Sequence, residues 1–139
     1  MKDTKSVGDF SELSAIYALA RAGYLVSVPF GENRRYDLII DKNNVLSRVQ
    51  VKTGRLHSGS IVFNCFSSHL HRGGVACRRY TGEIEYFAVY CPEIDEVYLV
   101  PIEDLNVLKG HLRISPSRNR QVKGVRFASQ YKVSREPNN

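Results

Sequence analysis

Residues 34–54 read Arg34-Arg35-Tyr36-Asp37-Leu38-Ile39-Ile40-Asp41-Lys42-Asn43-Asn44-Val45-Leu46-Ser47-Arg48-Val49-Gln50-Val51-Lys52-Thr53-Gly54. Two runs rich in aliphatic and β-branched residues flank Asn43-Asn44, and Asn tolerates the positive φ that a two-residue hairpin turn demands. With those two residues as the turn, Lys42 faces Val45, Leu38 faces Val49 and, one step further, Asp37 lies across from Gln50. Lys52 falls two residues along on the same face, diagonal to Asp37. Opposed side chains stand ~5 Å apart at Cβ and diagonal ones ~7–8 Å. One acid, one amide and one lysine therefore converge on one face, while Leu38, Ile40, Val49 and Val51 form a core face on the other. A slip of one residue would break this pairing, because it moves every side chain of a strand to the opposite face.

The chain around this hairpin has 139 residues, 42% of them hydrophobic and 24% charged, as expected of one globular domain over residues 1–139 with a substantial core. It has no run of about 18 or more apolar residues and so no helical membrane span. Its first residues, Met1-Lys2-Asp3-Thr4-Lys5, do not read as a signal peptide. The three cysteines, an odd number, argue against a disulfide framework and for a reducing, cytoplasmic setting.

The net charge of +6 and pI near 9.4 gain meaning from their distribution. Residues 42–82 hold seven bases and no acid, 83–108 seven acids and no base, and 109–135 eight bases and no acid. Two long acid-free blocks fit a surface that meets phosphate; they also fit a solvated basic face.

In chain order, residues 6–23 read as a helix, opened by a capping-box-like Ser6-Val7-Gly8-Asp9, striped by Phe10, Leu13, Tyr17 and Ala20, and stopped by Gly23. Glu12 aligns with Ile16 and Leu19 at the edge of the apolar band, where it either reaches water or points into a site. Tyr24–Val28 is a strand ended by Pro29. After the hairpin, Gly54–Gly59 reads as a loop, Ser60–Cys65 as a strand, and 66–80 as a long basic loop with at most a helical turn. Glu85–Cys91 is apolar enough to be buried on both faces, and pairs through a turn with Val97–Val100. A short helix opens at Pro101. His111–Ile114 is a short strand, 115–124 a basic loop, and Val125–Tyr131 a last extended segment.

Glu12, Asp37, Gln50 and Lys52 form the main chemical constellation. Phosphodiester hydrolysis needs a hard cation, a water made nucleophilic beside it, and stabilisation of charge on five-coordinate phosphorus. Asp37 can ligate Mg²⁺, with the Gln50 amide oxygen and the Val51 carbonyl as further oxygen ligands. Lys52 can orient or deprotonate the attacking water or stabilise developing charge, and Glu12 can hold a water or fix Lys52. The same spacing also fits a plain cross-strand pair of Asp37 and Lys52, worth ~0.2–1 kcal/mol.

Arg35-Tyr36-Asp37-Leu38-Ile39-Ile40 followed by Val49-Gln50-Val51-Lys52-Thr53-Gly54 resembles the PD-(D/E)XK nuclease superfamily, whose pattern is an acid opening one strand and acid-x-Lys on the next. An upstream helix in that superfamily often supplies a Glu. The stretch Tyr80–Glu93, with the later Val97-Tyr98-Leu99-Val100-Pro101-Ile102-Glu103-Asp104, is similar to the small branch that includes group I intron homing endonucleases. The resemblance implies an α/β, restriction-endonuclease-like core: a mixed sheet, an N-terminal helix and an extended DNA-contacting hairpin or loop. It implies catalytic roles for Glu12, Asp37, Gln50 and Lys52, metal ligation by Asp37, Gln50 and Val51, and Mg²⁺ or Mn²⁺ as cofactor. Gln50 departs from the pattern, since an acid is expected there. That leaves an active nuclease with a Gln variant, which is the reading adopted, or a DNA-binding relic.

The superfamily commonly places a helix after the Lys strand; here the interval holds a strand and a basic loop, and an extended strand pair there could enter a DNA groove. Arg55, His57, Asn64, His69, His71 and Arg72 are candidate DNA contacts, joined by Arg118, Arg120 and Lys123 in the tail block that also holds Arg113 and Arg126. Cys65, His69, His71 and Cys77 lack the close Cys pair of common zinc sites. The expected function is site-specific, homing-type double-stranded DNA cleavage. Because one small domain offers one active site for two strands, the partners are duplex DNA and further copies of the chain, as a symmetric dimer or tetramer. The alternatives are a junction resolvase and a non-catalytic nucleic-acid-binding module.

Overall fold

A computed structural model of the chain describes residues 3–116 and 123–134, apart from the side chains of His69 and Leu70. Helix α1 spans Thr4–Arg21 and starts two residues before the expected Ser6. Its cap is Asp3 rather than the Ser6–Asp9 box: the Asp3 carboxylate accepts from the Ser6 backbone N–H at 2.9 Å and the Ser6 hydroxyl at 2.8 Å. This satisfies a helix N–H that has no intrahelical partner. Gly23 ends the helix as expected, at φ 97°.

The buried face of α1 is not the expected stripe. Ser11, Ala15, Leu19 and Ala22 are buried, whereas Phe10, Leu13 and Tyr17 are 42%, 65% and 63% exposed. The helix has apolar residues on two sides, and the side with small residues lets its backbone lie close to the sheet. Periodicity alone does not distinguish the two sides.

The main sheet contains β1 (Leu25–Ser27), β2 (Leu38–Lys42), β3 (Val45–Thr53), then β8 (Tyr86–Cys91) and β9 (Glu96–Pro101), side by side in that order. The β2–β3 register is the expected one, from Lys42 opposite Val45 to Leu38 opposite Val49. Asn43 and Asn44 adopt φ of 54° and 65°, as a turn with two left-handed residues requires. Strand β8 runs parallel to β3, and the remaining neighbours are antiparallel.

Both faces of the sheet are covered. Leu38, Ile40, Val49, Val51, Ala88 and Tyr90 pack with Ala15 and Leu19 of α1. Phe87, Val89, Cys91 and Val100 pack on the other side with Ile61, Phe63 and Leu112. Strand β8 therefore contributes to two cores, as its apolar run predicts. Complete burial of a Leu or Val side chain contributes ~1.5–3 kcal/mol, and Leu38 and Val49 are both at 0% exposure.

A parallel connection needs a long crossover, and residues 54–85 supply it without a helix. They hold β4 (Arg55–His57), where a loop was expected, and β5 (Ser60–Asn64), which together with β10 (Lys109–Arg113) form a second sheet. They also hold a two-stranded ribbon, β6 (Phe66–His71) and β7 (Gly74–Arg79). The expected loop at 66–80 is thus regular β-structure. Its strands are largely solvated, so no apolar alternation marks them. At Gly54 the chain passes between the sheets: a Cβ there would lie 2.5 Å from Ile61 Cγ2 and 2.9 Å from Val89 Cγ1. The last extended segment is instead a 3₁₀ turn at Ala128–Gln130, flanked by isolated bridges from Phe127 to Arg113 and from Lys132 to Tyr98.

Candidate active site

The site begins where β2 meets β3. Asp37 precedes the last ladder pair. Its N–H donates to the Val49 carbonyl at 2.9 Å, and its Oδ2 accepts from the Val51 N–H at 2.9 Å. Asp37 is therefore bonded to the two residues that flank Gln50 on β3, just beyond the last ladder pair. Gln50 and Lys52 share the sheet face of Phe87 and Val89, their partners on β8. The Ser11 and Thr53 hydroxyls are hydrogen-bonded at 2.6 Å, fastening α1 to the end of β3. The next helix residue, Glu12, lies close enough to Asp37 for the two carboxylates to repel.

These groups are tuned by burial. Burial raises the Asp37 carboxyl above its ordinary value, against the opposing influence of the Val51 N–H, Arg34 and Lys52. Burial and then the Asp37 charge raise Glu12, with Arg34 opposing. Lys52 is lowered by burial, partly offset by Asp37. Two partly desolvated carboxylates, both acted on by one arginine, form a place where added positive charge is favoured.

The oxygen donors suit a hard divalent cation: the Asp37 carboxylate, the Gln50 amide oxygen and the Val51 carbonyl lie on adjacent strands, with Glu12 nearby. Gln50 Nε2 is 3.4 Å from the Val51 oxygen, a long contact. For both oxygens to serve one cation, the amide must turn over. Among the described residues no group of three or more His, Cys, Asp or Glu side chains could hold a metal, so this donor set is low in negative charge. Cys65 is buried and its thiol is pushed up to about 11 by burial. Cys65, in the bend between β5 and β6, and Cys91, at the end of β8, are both core residues.

Lys52 reaches further than the cross-strand geometry alone suggests. Its Nζ donates to the Phe66 carbonyl at 2.9 Å and to the Tyr80 hydroxyl at 3.3 Å, and stands 5.0 Å from the centre of the Tyr80 ring. It influences Asp37 through the electrostatic field rather than through an ion pair.

Across residues 2–134 the chain matches the family model described as PD-(D/E)XK endonuclease. The chain belongs to the PD-(D/E)XK endonuclease family. Nucleases of this family hydrolyse DNA phosphodiester bonds and generally use Mg²⁺ or a similar divalent ion. A solved structure described as that of a bacterial homing endonuclease, I-Ssp6803I, has the same fold. It superposes with a TM-score of 0.77 at 24% sequence identity, over 94% of this chain and 88% of that one. Comparison with curated protein sequences found no match.

This PD-(D/E)XK endonuclease carries the expected DNA-contacting residues on separate elements. Arg55 and His57 are exposed on β4, with Arg55 3.5 Å from Glu93. Asn64 is exposed at the end of β5. His71 and Arg72 are exposed at the ribbon tip, where His71 Nδ1 accepts from the Gly73 N–H at 3.0 Å. Lys123 is exposed; Arg118 and Arg120 fall outside the described residues, as does the His69 side chain.

Two members of the tail block are used by the fold. Arg113 donates to the carbonyls of Ser115 and Ser58 at 2.7 and 3.0 Å, and Arg126 donates to the Asp104 carbonyl. The guanidinium groups of Arg113 and Arg126 thereby hold loops together.

Sequence reasoning missed Arg35, Tyr80 and the Phe66 carbonyl. Arg35 had a signal, since strand alternation puts it on the face of Asp37. Tyr80 had none, because only the tertiary fold brings it beneath Lys52.

Proposed function

We propose that this endonuclease is a site-specific, homing-type nuclease of double-stranded DNA, working as a symmetric homo-oligomer of single-domain cytoplasmic subunits. The observation that carries the reading is the pair of hydrogen bonds that fastens Asp37 to Val49 and Val51, on either side of Gln50, with Lys52 next along β3. The fold shared with a bacterial homing endonuclease supports the same conclusion.

In the proposed reaction a water attacks phosphorus, the bond to the 3′ oxygen breaks, and the strand is left with a 5′ phosphate. Asp37, Gln50 and the Val51 carbonyl would hold Mg²⁺ or Mn²⁺. When bound, that ion supplies Lewis-acid stabilisation of the phosphate oxygens. Lys52 lies on the same face, where its ammonium offsets charge on the phosphorane; its lowered pKa eases proton exchange with the attacking water. Glu12 positions that water from the helix side. Gln50 would hold the cation without a charge of its own, so a high divalent-ion requirement is expected. The ribbon and β4 carry His71, Arg72, Arg55 and His57 toward DNA, as a β-ribbon suits the major groove.

Cleavage selection on a randomised duplex library with Mg²⁺ tests this reading. It predicts recovery of one long, roughly palindromic target, cut on both strands. Faster cleavage of four-way junctions than of any duplex would instead favour a resolvase, and tight binding without cleavage a non-catalytic module.

A further inference from the structure

The ribbon and the lysine are joined at both of the ribbon's legs. Phe66, the first residue of β6, supplies the carbonyl that accepts from Lys52 Nζ at 2.9 Å. Tyr80, which directly follows β7, supplies the hydroxyl at 3.3 Å. Both legs are in turn held by one guanidinium. Arg35 donates through Nη1 to Ser67 Oγ on β6 at 2.6 Å and through Nη2 to the Arg79 carbonyl on β7 at 3.0 Å. Its Nε pairs with Glu83 at 2.9 Å, and its Cζ lies 4.1 Å from the centre of the Tyr80 ring. Arg35 is two residues before Asp37. A planar fork with several fixed donors suits such a four-way junction, whereas an ammonium on a flexible stem does not.

We propose that Arg35 and Tyr80 are positioning residues that tie the root of the β6–β7 ribbon to the Lys52 ammonium, so that seating the ribbon on DNA sets where that ammonium stands. Among the described residues, the hydrogen-bond partners of Lys52 Nζ are the Phe66 carbonyl and the Tyr80 hydroxyl. A shift of either leg by the length of a hydrogen bond therefore either moves the ammonium or releases it toward the phosphate. DNA engaged by the ribbon in the correct register would be cut, and DNA bound elsewhere would be held without cleavage. Coupling of this kind needs a discrete element that both sites bias, and the clamped ribbon root is such an element.

This inference rests on the assignment of Lys52 to catalysis, and the test separates the two. The protein is the full chain, and the probe is the duplex recovered from the randomised library. Single-turnover cleavage is measured in Mg²⁺, binding in EDTA, and the thermal midpoint without DNA. Tyr80→Phe keeps the ring beneath Arg35 and deletes only the hydroxyl. It is expected to slow cleavage about tenfold, the scale of one hydrogen bond to a charged group, with Kd and thermal midpoint unchanged. Arg35→Lys keeps the charge beside Glu83 without the fork, and is expected to slow cleavage by about tenfold or more, again at unchanged Kd. If Tyr80→Phe cuts at the wild-type rate, or if losses in cleavage only follow losses in binding and thermal stability, the coupling is wrong. If the wild-type chain cuts nothing, the catalytic assignment fails and the coupling falls with it.

Discussion

The β2–β3 hairpin and the β6–β7 ribbon are both antiparallel pairs closed by two-residue turns, yet their registers are held in opposite ways. The hairpin holds its own register: one face is buried under α1, and Asn43-Asn44 accepts the left-handed backbone that the turn requires. A slip would bring Ile39 and Arg48 into the core. The described side chains of the ribbon have no such burial. Its β7 residues are nearly all exposed, and among the described side chains none would be expelled from a core by a slip. Its root is held instead by Arg35, Glu83 and Lys52, groups drawn from other elements. The part of the fold proposed to do chemistry holds its own register, and the part proposed to meet DNA is held at its base by other elements.

That contrast is open to attack in order of expected effect. Leu38→Ala should remove ~2–5 kcal/mol of unfolding free energy in urea titration, since it empties a fully buried position. Asn44→Ala should cost ~1–2 kcal/mol by the same measurement, from the left-handed backbone alone. A smaller effect of opposite sign is expected for Asp37→Asn in EDTA. Burial raises the folded-state pKa of Asp37 above its unfolded value, so the native state holds more protons between the two values and stability falls as pH rises through that window. Removing the charge should therefore raise the thermal midpoint at pH 7, and the gain should shrink on acidification into the carboxylate range. A lower midpoint would mean that Asp37 stabilises the fold rather than the site. Val75→Ser, on the ribbon at 64% exposure, should change stability by no more than ~0.5 kcal/mol. A loss comparable to that of Leu38→Ala would show the ribbon to be part of the core.

How far the sequence could be read follows the same division. The register, the turn and β8 with its two buried faces were legible, because burial on one face and positive φ leave marks in a single segment. The packed face of α1 was not. Phe10, Leu13 and Tyr17 have helical spacing as convincing as that of Ser11, Ala15 and Leu19, and only the sheet's need for close approach chooses between them. The ribbon was hidden because solvated strands show no period. The partners of Lys52 were hidden because a residue 28 positions later in the chain has no local relation to it. Glu12 was legible as a residue at the edge of the apolar band, and the neighbouring Ser11–Thr53 bond that fastens α1 to the end of β3 was not.

The central claim is that one face of the β2–β3 hairpin hydrolyses DNA through Asp37 and Lys52. Its most direct test is single-turnover cleavage of the selected duplex in Mg²⁺ by the wild-type chain, Lys52→Ala and Asp37→Asn, with DNA affinity measured in parallel. The predicted result is cutting by the wild type that EDTA abolishes, and a loss of about 10³-fold in each variant at nearly unchanged Kd. Cleavage at the wild-type rate by both variants would contradict it.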